Sequence, residues 1–406
     1  MAQCVYCKGF HPGDDRTVCP VVIKTQSLFR VKEMLKSETF YGSSPAPFIG
    51  RTGYPEVNVG ILSPTEIRED AWLHDAPGHW AQQNFQIPRI AELRFSLVNS
   101  RSRSNIKNET KIVELSREVG IASKPVDVEI KLKKIPNFKL NIDAYSAPFG
   151  PGASIEKASI TSNPKVDSKV EKVVSDKDLK AGSAVTYLYS KGYDENFLSK
   201  VLSVGAVGIG KNRKLVPTRW SITATDDTIA KYILAEIRDF SEIDYSAYFG
   251  SYLGNYYIIL CFPGMWGYEL FEMYLPSAGN NSVNYSTDYE DWKGRKNYAE
   301  NCAGGYYSVR LAILEKLMSL KRKGSVLALR FITDEYSMPL GVWVTREAAR
   351  KALACKPIEF SDKELMLKYT DEFVKKKFSF DANKILSQSK LLNNLKVQKK
   401  LADFRH

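Results

Sequence analysis

Hydrophobic and polar residues alternate in parts of this chain in the way that β-strands require. Residues 126–134, VDVEIKLKK, alternate apolar and charged side chains from Val126 to Leu132, which predicts a strand with one buried face. Further strands are predicted at 255–262, 267–275, 325–332 and 341–344. Residues 42–64 are rich in glycine, proline and serine and end in the strand-like VNVGIL. We expect ordered turns there, because the aromatic and aliphatic side chains of this stretch are too apolar for a linker.

Other segments repeat their apolar residues with helical spacing. A short helix is indicated around Leu28, Val31 and Leu35, and a longer amphipathic helix is indicated at 304–324, ending at Gly324. Further helices are predicted at 88–99, at 176–202 with a break near Gly192, at 345–355 and through 361–404. The polar stretch 276–301 is predicted to be a long loop. Because helices and strands interleave without a strict βαβ rhythm, we expect an α+β fold with a mixed globular core.

The length of the chain indicates more than one structural part. Its 406 residues exceed the ~250–300 at which single hydrophobic cores stop growing. The Pro/Gly-rich stretch 143–168 is the best candidate for a crossing between two halves. The expected parts are a cysteine-rich start at 1–20, an α+β part at 21–150, a second α+β part at 151–360, and a basic helical extension at 361–406.

The composition indicates a packed protein with a positive charge. Hydrophobic residues make up 44% of the chain and aromatic residues 12%, which is too much for a disordered protein. We see no apolar run of about 18 residues and no signal peptide, so we expect a cytoplasmic protein without a membrane partner. The net charge is +12, and residues 375–406 carry nine Lys and Arg against two acids. Such charge permits a nucleic-acid partner, although a basic cluster is also typical of a solvated face.

Four potential metal ligands crowd the first 19 residues. Cys4 and Cys7 form a C-x-x-C pair, and His11 and Cys19 follow in the order C-x2-C-x3-H-x7-C. Two thiolates at this spacing can share one tetrahedral ion, and zinc accepts Cys3His sites. A short segment without its own core gains folding energy from such an ion, so a structural zinc is predicted. The alternatives are a redox pair or ordinary cysteines, and a nearby aspartate or a distant residue could replace His11 as a ligand.

A glycine-rich turn opens the densest group of candidate residues, at 203–240. Gly205, Gly210 and Lys211 have the spacing of a phosphate-binding loop, but Asn212 stands where a magnesium-binding Ser or Thr is needed. The preceding residues read as the end of a helix, so we reject a nucleotide-binding P-loop. The turn could still cradle a DNA phosphate through its backbone N–H groups. The basic residues expected to contribute are Lys211, Arg213 and Lys214.

Arg219 and Trp220 follow this turn and place a planar cation beside a large aromatic ring. An arginine can hold a phosphate through two hydrogen bonds, and a tryptophan can stack on an unpaired base. Both residues are therefore candidates for DNA binding. Periodicity alone favours the alternative, in which Trp220 anchors the core and Arg219 lies on the surface.

Asp226 and Asp227 are predicted to begin a helix whose apolar face includes Ile229, Ile233 and Ile237. Acids at a helix N-terminus are favoured by capping and by the helix dipole, which is the ordinary explanation of the pair. The functional alternative is that they hold a catalytic Mg²⁺ or Mn²⁺, or supply the acid and base of a cut. A metal site would need further carboxylates. The candidates are Glu269, Glu272, Asp288, Glu315 and Asp334.

The last nine residues carry the spacing Q-x-x-L-x-x-F of a peptide that binds the sliding clamp, PCNA. Leu401 and Phe404 fall on one face of a helical turn, and the amide of Gln398 lies one turn earlier. Such a peptide buries a few anchor residues in a preformed groove. These peptides usually end in two aromatics, and Arg405 replaces the second one here, which predicts weaker docking. The alternative is the end of a basic helix that matches the pattern by chance.

Several blocks of the sequence resemble those of the archaeal Nre DNA-repair proteins. They are GSSPAPFIGRTGYPEVNVG, SKPVDVEIKLKKIP, APFGPGA, NPKVDSKVEKVVSDKDLKA, GKNRKLVPTRWSITATDD and CAGGYYSVRLAILE. The resemblance implies an archaeal, cytoplasmic repair factor with an N-terminal metal motif and, in one branch of the family, a C-terminal clamp-binding peptide. These features map onto Cys4, Cys7 and Cys19 and onto Gln398, Leu401 and Phe404. His11 stands where the family usually has a fourth cysteine, and the resemblance implies no settled catalytic mechanism.

Three functional hypotheses follow from the sequence. The first is a DNA-repair protein that binds damaged or single-stranded DNA and is recruited by PCNA, with metal-dependent DNA processing left open. Its DNA-binding residues would be Arg51, Lys211, Arg213, Lys214, Arg219 and Trp220, and its catalytic residues Asp226 and Asp227. The second is a non-enzymatic adaptor that binds DNA and clamp together and delivers other enzymes. The third is an enzyme acting on a nucleotide cofactor or a DNA adduct.

Overall fold

The computed structural model of the chain describes residues 19–136, 148–275 and 284–397. These residues fall into two compact units, one within Met1–Ile229 and Ser337–Gly341 and the other within Ala230–Tyr336 and Val342–His406. The division expected at residue 150 differs from this one. The strand after that position, Gly152–Ile160, pairs with two other strands of the first unit, so the chain continues there without leaving the unit.

The first unit is built on a six-stranded sheet. Its strands are β1 (Thr39–Ser44), β2 (Ala46–Ile49), β3 (Glu56–Ser63), β4 (Val98–Asn105), β5 (Val126–Leu132) and β6 (Gly152–Ile160). They lie in the order β1-β5-β6-β4-β3-β2, and every neighbouring pair is antiparallel except β4 and β6. Such mainly antiparallel pairing is typical of the α+β class that the sequence predicts.

The helices described in the first unit are α1 (Pro20–Met34), α2 (Pro77–Gln82), α3 (Ile87–Phe95), α4 (Lys111–Ile121), α5 (Ser168–Ser175), α6 (Ala181–Ser190) and α7 (Glu195–Ser203). Helix α8 (Thr218–Glu236) begins in this unit and continues past Ile229. The predicted break near Gly192 is confirmed, because Gly192 has a φ of +90° that glycine adopts without a steric penalty. Asp194 then caps α7 by accepting a 2.7 Å hydrogen bond from the Phe197 N–H.

Side-chain alternation explains why one face of the first sheet is buried. The predicted strand at 126–134 is β5, and its residues Val128, Ile130 and Leu132 are fully buried. They belong to one cluster with Leu115 and Val119 of α4. Helix α4 therefore covers this face of the sheet, and the residues between the buried ones in β5 point the other way.

The second unit is built on another six-stranded sheet. The strands of the unit are β7 (Ser241–Glu242), β8 (Ser246–Tyr252), β9 (Asn255–Phe262), β10 (Gly267–Tyr274), β11 (Asn284–Glu290), β12 (Arg322–Lys323), β13 (Ser325–Ile332) and β14 (Ile358–Glu359). The sheet has the order β11-β10-β13-β9-β8-β14, in which only β10 and β13 are parallel neighbours among the described strands. Strands β7 and β12 form a separate short pair.

Helices pack on both faces of the second sheet. They are α9 (Ala303–Leu320), α10 (Trp343–Ala354), α11 (Lys363–Phe378), α12 (Asn383–Leu386) and α13 (Lys390–Val397). All eight residues of β13 are buried in consequence, as is typical of a mostly apolar strand covered on both faces. Met366 of α11 and Leu391 of α13 join the core on one face. On the other face, the Tyr268 hydroxyl donates to the Tyr306 carbonyl of α9 at 3.2 Å.

Some predicted elements were wrong, for reasons that lie in their sequences. The GVWV segment is not a strand, since Trp343 already begins α10; a short apolar run does not distinguish a strand from a buried helix. The predicted loop at 276–301 contains β11, an edge strand whose polar residues gave no apolar signal. The helix predicted at 88–99 ends at Phe95, and β4 begins at Val98. No helix in the described ranges has both the length and the apolar composition that crossing a bilayer requires.

Candidate nucleic-acid interface

Two segments that are far apart in the sequence meet at the first turn of α8. Residues 50–55 connect β2 to β3, and Pro217 directly precedes α8, whose first residues are Thr218, Arg219 and Trp220. The Ile49 N–H donates a 3.0 Å hydrogen bond to the Thr218 hydroxyl, which ties the end of β2 to the start of the helix. Tyr54 follows Ile49 in the first segment, and Trp220 follows Thr218 in the second. The rings of Tyr54 and Trp220 contact each other, with centroids 5.1 Å apart and planes inclined by 54°.

Both rings of this pair face solvent. Tyr54 is 42% exposed and Trp220 is 44% exposed. The interpretation of Trp220 as a core anchor is therefore wrong. Contact with Tyr54 orders the tryptophan ring without burying it, since a tilted aromatic pair stabilises its own geometry by about 1 kcal/mol.

The basic residues predicted to bind phosphate differ in their surroundings. Those with exposed side chains are Arg51, Lys211, Lys214 and Arg219. Arg219 is adjacent to Trp220 in the first turn of α8, and Arg51 lies three residues before Tyr54. Each ring of the exposed pair therefore has an exposed arginine near it in sequence: Arg51 near Tyr54, and Arg219 near Trp220.

Arg213 is the exception among these basic residues, because it is half-buried and bound to the backbone. Its Nε donates to the Gly208 carbonyl at 2.8 Å, Nη1 donates to Val174 at 2.7 Å, and Nη2 donates to Asp176 at 2.7 Å. Burial lowers the pKa of Arg213 from its ordinary value. Since three of its five N–H groups are used in this way, Arg213 holds in place the turn that carries Lys211 and Lys214.

The backbone N–H groups of the glycine-rich turn also bond within the fold. The Gly205 N–H donates to the Leu202 carbonyl at 3.1 Å, and the Gly210 N–H donates to the Lys177 carbonyl at 2.7 Å. The segment before the turn is helix α7, as predicted. These two N–H groups are therefore not free to cradle a phosphate.

Asp226 and Asp227 do not begin a helix. Helix α8 starts at Thr218, so the two aspartates lie about two turns inside it, and the capping interpretation is wrong. Asp226 is 1% exposed, and Asp227 is half-buried. The helix starts earlier than predicted because Pro217 favours a helix start and precedes it directly.

The described residues do not assemble a metal centre from carboxylates. Within 19–136, 148–275 and 284–397, no group of three or more His, Cys, Asp or Glu side chains could hold a metal ion. Most of the candidate carboxylates have other partners: Glu269 accepts from Ser389, Glu272 pairs with Arg330, Asp288 pairs with Arg295, and Glu315 pairs with Arg350. These four carboxylates are thus engaged in hydrogen bonds and ion pairs within the fold.

Several predicted site residues lie outside the described residues. They are Cys4, Cys7 and His11 of the zinc motif and Gln398, Leu401 and Phe404 of the clamp peptide. Of the zinc motif, Cys19 is described: it is buried directly before α1, and its carbonyl accepts a 3.0 Å hydrogen bond from the Ile23 N–H. The zinc motif and the clamp peptide stay predictions.

Sequence reasoning missed two arginines on β4, Arg101 and Arg103. The strand reads VNSRSRSN, and its period of two places both arginines on the same face. Arg103 is exposed, and Arg101 is half-buried. Among the described residues, neither guanidinium has a hydrogen-bond or ion-pair partner. The alternation of serine with arginine was the available signal, but no apolar row marked the segment as a strand.

Two family models match the chain. One is described as Archaeal Nre, N-terminal, and matches residues 15–281; the other is described as Archaeal Nre, C-terminal, and matches residues 290–404. The chain belongs to the archaeal Nre family. The N-terminal Nre match extends beyond Ile229, so it includes β8, β9 and β10 of the second unit as well as the whole first sheet. The Nre resemblance of the sequence blocks is confirmed.

Relatives in the Nre family match this chain over most of their length. The DNA repair protein NreA of Haloferax volcanii is 36% identical over 80% of this chain and 80% of the relative. The DNA repair protein NreB of Archaeoglobus fulgidus is 34% identical over 91% and 93%, and the NreA protein of the same organism is 36% identical over 88% and 90%. No solved structure matches this Nre chain.

Proposed function

We propose that this Nre chain is a DNA-repair protein that binds DNA through a surface at the start of α8. We also propose that the sliding clamp, PCNA, recruits the chain through Gln398, Leu401 and Phe404. The observation that carries the DNA-binding part is the exposed Tyr54–Trp220 ring pair. The names of the relatives, DNA repair proteins NreA and NreB, support the repair role.

The α8 surface, by which we mean Arg51, Tyr54, Arg219 and Trp220, has the chemistry that DNA requires. Arginine side chains hold phosphates through two parallel hydrogen bonds, and exposed aromatic rings stack on bases. The exposed lysines 211 and 214 precede α8 and add positive charge on the same stretch of chain. Phosphate contacts of this kind supply affinity that does not depend on base sequence.

The burial of Asp226 favours binding and delivery over cutting at this pair. A catalytic Mg²⁺ or Mn²⁺ needs carboxylates that reach both the ion and the substrate, and Asp226 is 1% exposed inside α8. We therefore propose that the chain holds DNA and clamp together and raises the local concentration of other repair enzymes. A metal-dependent product that is made by the purified wild-type chain and lost in Asp226→Ala with Asp227→Ala would contradict this choice.

We further propose that Cys4, Cys7, His11 and Cys19 hold a structural zinc at the start of the chain. Cys19 is buried directly before α1, so an ion on its thiolate would link the motif to that helix. Elemental analysis is expected to give about one zinc per chain, lost in Cys4→Ala with Cys7→Ala together with thermal stability. A metal-free chain of full stability would contradict the assignment.

Titration of labelled DNA under increasing salt tests the α8 surface. Arg219→Ala should weaken binding and reduce the slope of log K against log salt by about 0.7 to 0.9, because one phosphate contact is lost. Trp220→Ala should weaken the binding of single-stranded DNA by about 1 to 3 kcal/mol through lost stacking. Trp72→Ala is the matched control, since Trp72 is 43% exposed and also contacts a ring, that of His79. Unchanged affinity in both variants would remove the surface from the proposal.

A further inference from the structure

The sheet of the first unit has a second face, opposite to the one that α4 covers. In its register Phe48 stands beside Gly60, and Gly60 stands beside Arg101. Asn58 stands beside Arg103 in the same way. Because neighbouring residues in a register point to the same side of a sheet, these five residues share one face. We call this the arginine face.

Glycine backbones support both arginines of this face. A Cβ built on Gly53 would lie 2.7 Å from Nη2 of Arg103, and one built on Gly152 would lie 3.1 Å from Nη2 of Arg101. The Arg103 guanidinium therefore lies close to the backbone of Gly53, and the Arg101 guanidinium lies close to the backbone of Gly152. Gly53 has a φ of +84°, so glycine is also needed there for the turn before β3.

The two guanidinium groups keep their hydrogen-bonding capacity. Neither has a partner among the described residues, and each carries five N–H donors in a fixed planar arrangement. Strands β2, β3 and β4 contain one acidic residue, Glu56 at the start of β3. Its carboxylate accepts a 2.6 Å hydrogen bond from the Asn105 side chain. Within β2, β3 and β4, the arginine face is therefore positively charged and has unused donors, so this part of the sheet is complementary to a polyanion.

Aromatic rings border the arginine face on both sides. Phe48 contacts Phe149 edge to face, with centroids 6.0 Å apart, and Phe149 is 43% exposed. Gly60 places no side chain between Phe48 and Arg101, which are two strand spacings, about 10 Å, apart. On the other side, Tyr54 directly follows Gly53, against which the Arg103 guanidinium lies.

We propose that the arginine face, with the Phe48–Phe149 and Tyr54–Trp220 ring pairs, forms a site for unpaired DNA. This inference rests on the proposed function, because it extends the α8 surface across the first sheet. The guanidinium groups bind successive phosphates, and the rings stack on bases. A duplex covers both faces of its bases with neighbouring bases, so it cannot use the rings. Single-stranded DNA is therefore the preferred occupant.

Binding of a labelled single strand is compared with binding of the same sequence as a duplex. The wild-type chain should prefer the single strand by about tenfold or more, the contribution of one or two stacked bases. Arg101→Gln with Arg103→Gln should weaken single-strand binding and reduce its salt slope by about 1.4, since two phosphate contacts are lost. Arg103→Gln alone should reduce the slope by about 0.7 and keep the wild-type melting temperature, because its side chain is exposed.

Phe149→Ala separates stacking from charge. It should weaken single-strand binding by about tenfold and leave the salt slope unchanged, because stacking releases no counterions. Phe29→Ala is its control, since Phe29 is an exposed phenylalanine of α1.

Three results would overturn the inference in distinguishable ways. Equal binding of duplex and single strand, with the Phe149 and Arg103 variants unchanged and Arg219→Ala weaker on both, removes the arginine face and keeps the proposed function. An unchanged salt slope in both Arg103→Gln and the double variant, at full stability, removes the phosphate contacts of the arginine face and with them this inference. A wild-type chain that binds neither DNA removes the proposed function together with this inference.

Discussion

At the scale of single residues, Gly60 shapes the proposed binding surface. A Cβ on Gly60 would lie 2.1 Å from the Ser100 carbonyl oxygen and 2.8 Å from the Cα of Arg101, both part of β4. Strands β3 and β4 can approach this closely only because position 60 is glycine. The same residue leaves the space between Phe48 and Arg101 open, so packing and the proposed function depend on it together.

Gly60→Ala should therefore destabilise the first unit. The new methyl group meets backbone atoms that cannot rotate away, and such overpacking costs about 2 kcal/mol of the free energy of unfolding. Urea denaturation measures the change. Gly78→Ala serves as the control, because a Cβ at Gly78 meets nothing within 4 Å. A Gly60 variant as stable as the Gly78 variant would show that the two strands can separate without loss.

The sequence identified candidate residues by chemical type but could not give their surroundings. Arg219 and Trp220 were predicted from their types, yet the exposure of Trp220 depends on contact with Tyr54, which comes from a distant segment. Arg213 looks like Lys211 and Lys214 in sequence, but three backbone carbonyls engage its guanidinium. Such differences arise from tertiary packing, which residue types do not encode locally.

At the scale of elements, α13 is the last described helix before the predicted clamp peptide. Its start is fixed by Glu269 of β10, which is fully buried. The carboxylate accepts hydrogen bonds from the Ser389 hydroxyl at 2.5 Å, the Lys390 N–H at 3.1 Å and the Leu391 N–H at 3.0 Å. These bonds satisfy N–H groups that a helix start leaves without intrahelical partners, and the negative charge suits the helix dipole.

Glu269→Gln should weaken this attachment. Glutamine has the same shape, but its amide removes the charge and directs N–H groups at other N–H donors, so the free energy of unfolding should fall by about 2 kcal/mol. Chemical denaturation of the whole chain is the measurement. Glu359→Gln is the control on an exposed residue of β14. Equal stability of the two variants would contradict the anchoring role of Glu269.

Elements with a regular apolar pattern were predictable, and those without one were not. Strand β5 was predicted from its alternation, and the mostly apolar strand β13 was also predicted. Strand β4 escaped because its inward residues include Ser100 and Ser104, which are buried but polar. Strand β4, which carries both arginines of the arginine face, therefore has no hydrophobic pattern in its sequence. Its pairing with β3 and β6 in the structure identifies it as a strand.

At the scale of the whole molecule, the α+β class followed from the order of the elements. Antiparallel pairs dominate both described six-stranded sheets, as expected where strands and helices lack a βαβ rhythm. The boundary between the compact units was not predictable, because it falls between Ile229 and Ala230 inside the continuous helix α8. No change of composition marks a boundary there.

The central claim for the whole chain is that separate segments bind DNA and clamp at the same time. Analytical ultracentrifugation of labelled single-stranded DNA with the full chain and PCNA tests it directly. The wild-type chain should carry DNA and clamp in one complex. Deletion of residues 398–406 should lose only the clamp, and Trp220→Ala should weaken only DNA binding, by about 1 to 3 kcal/mol. A wild-type chain that never carries both, or a tail deletion that also abolishes DNA binding, would contradict the account.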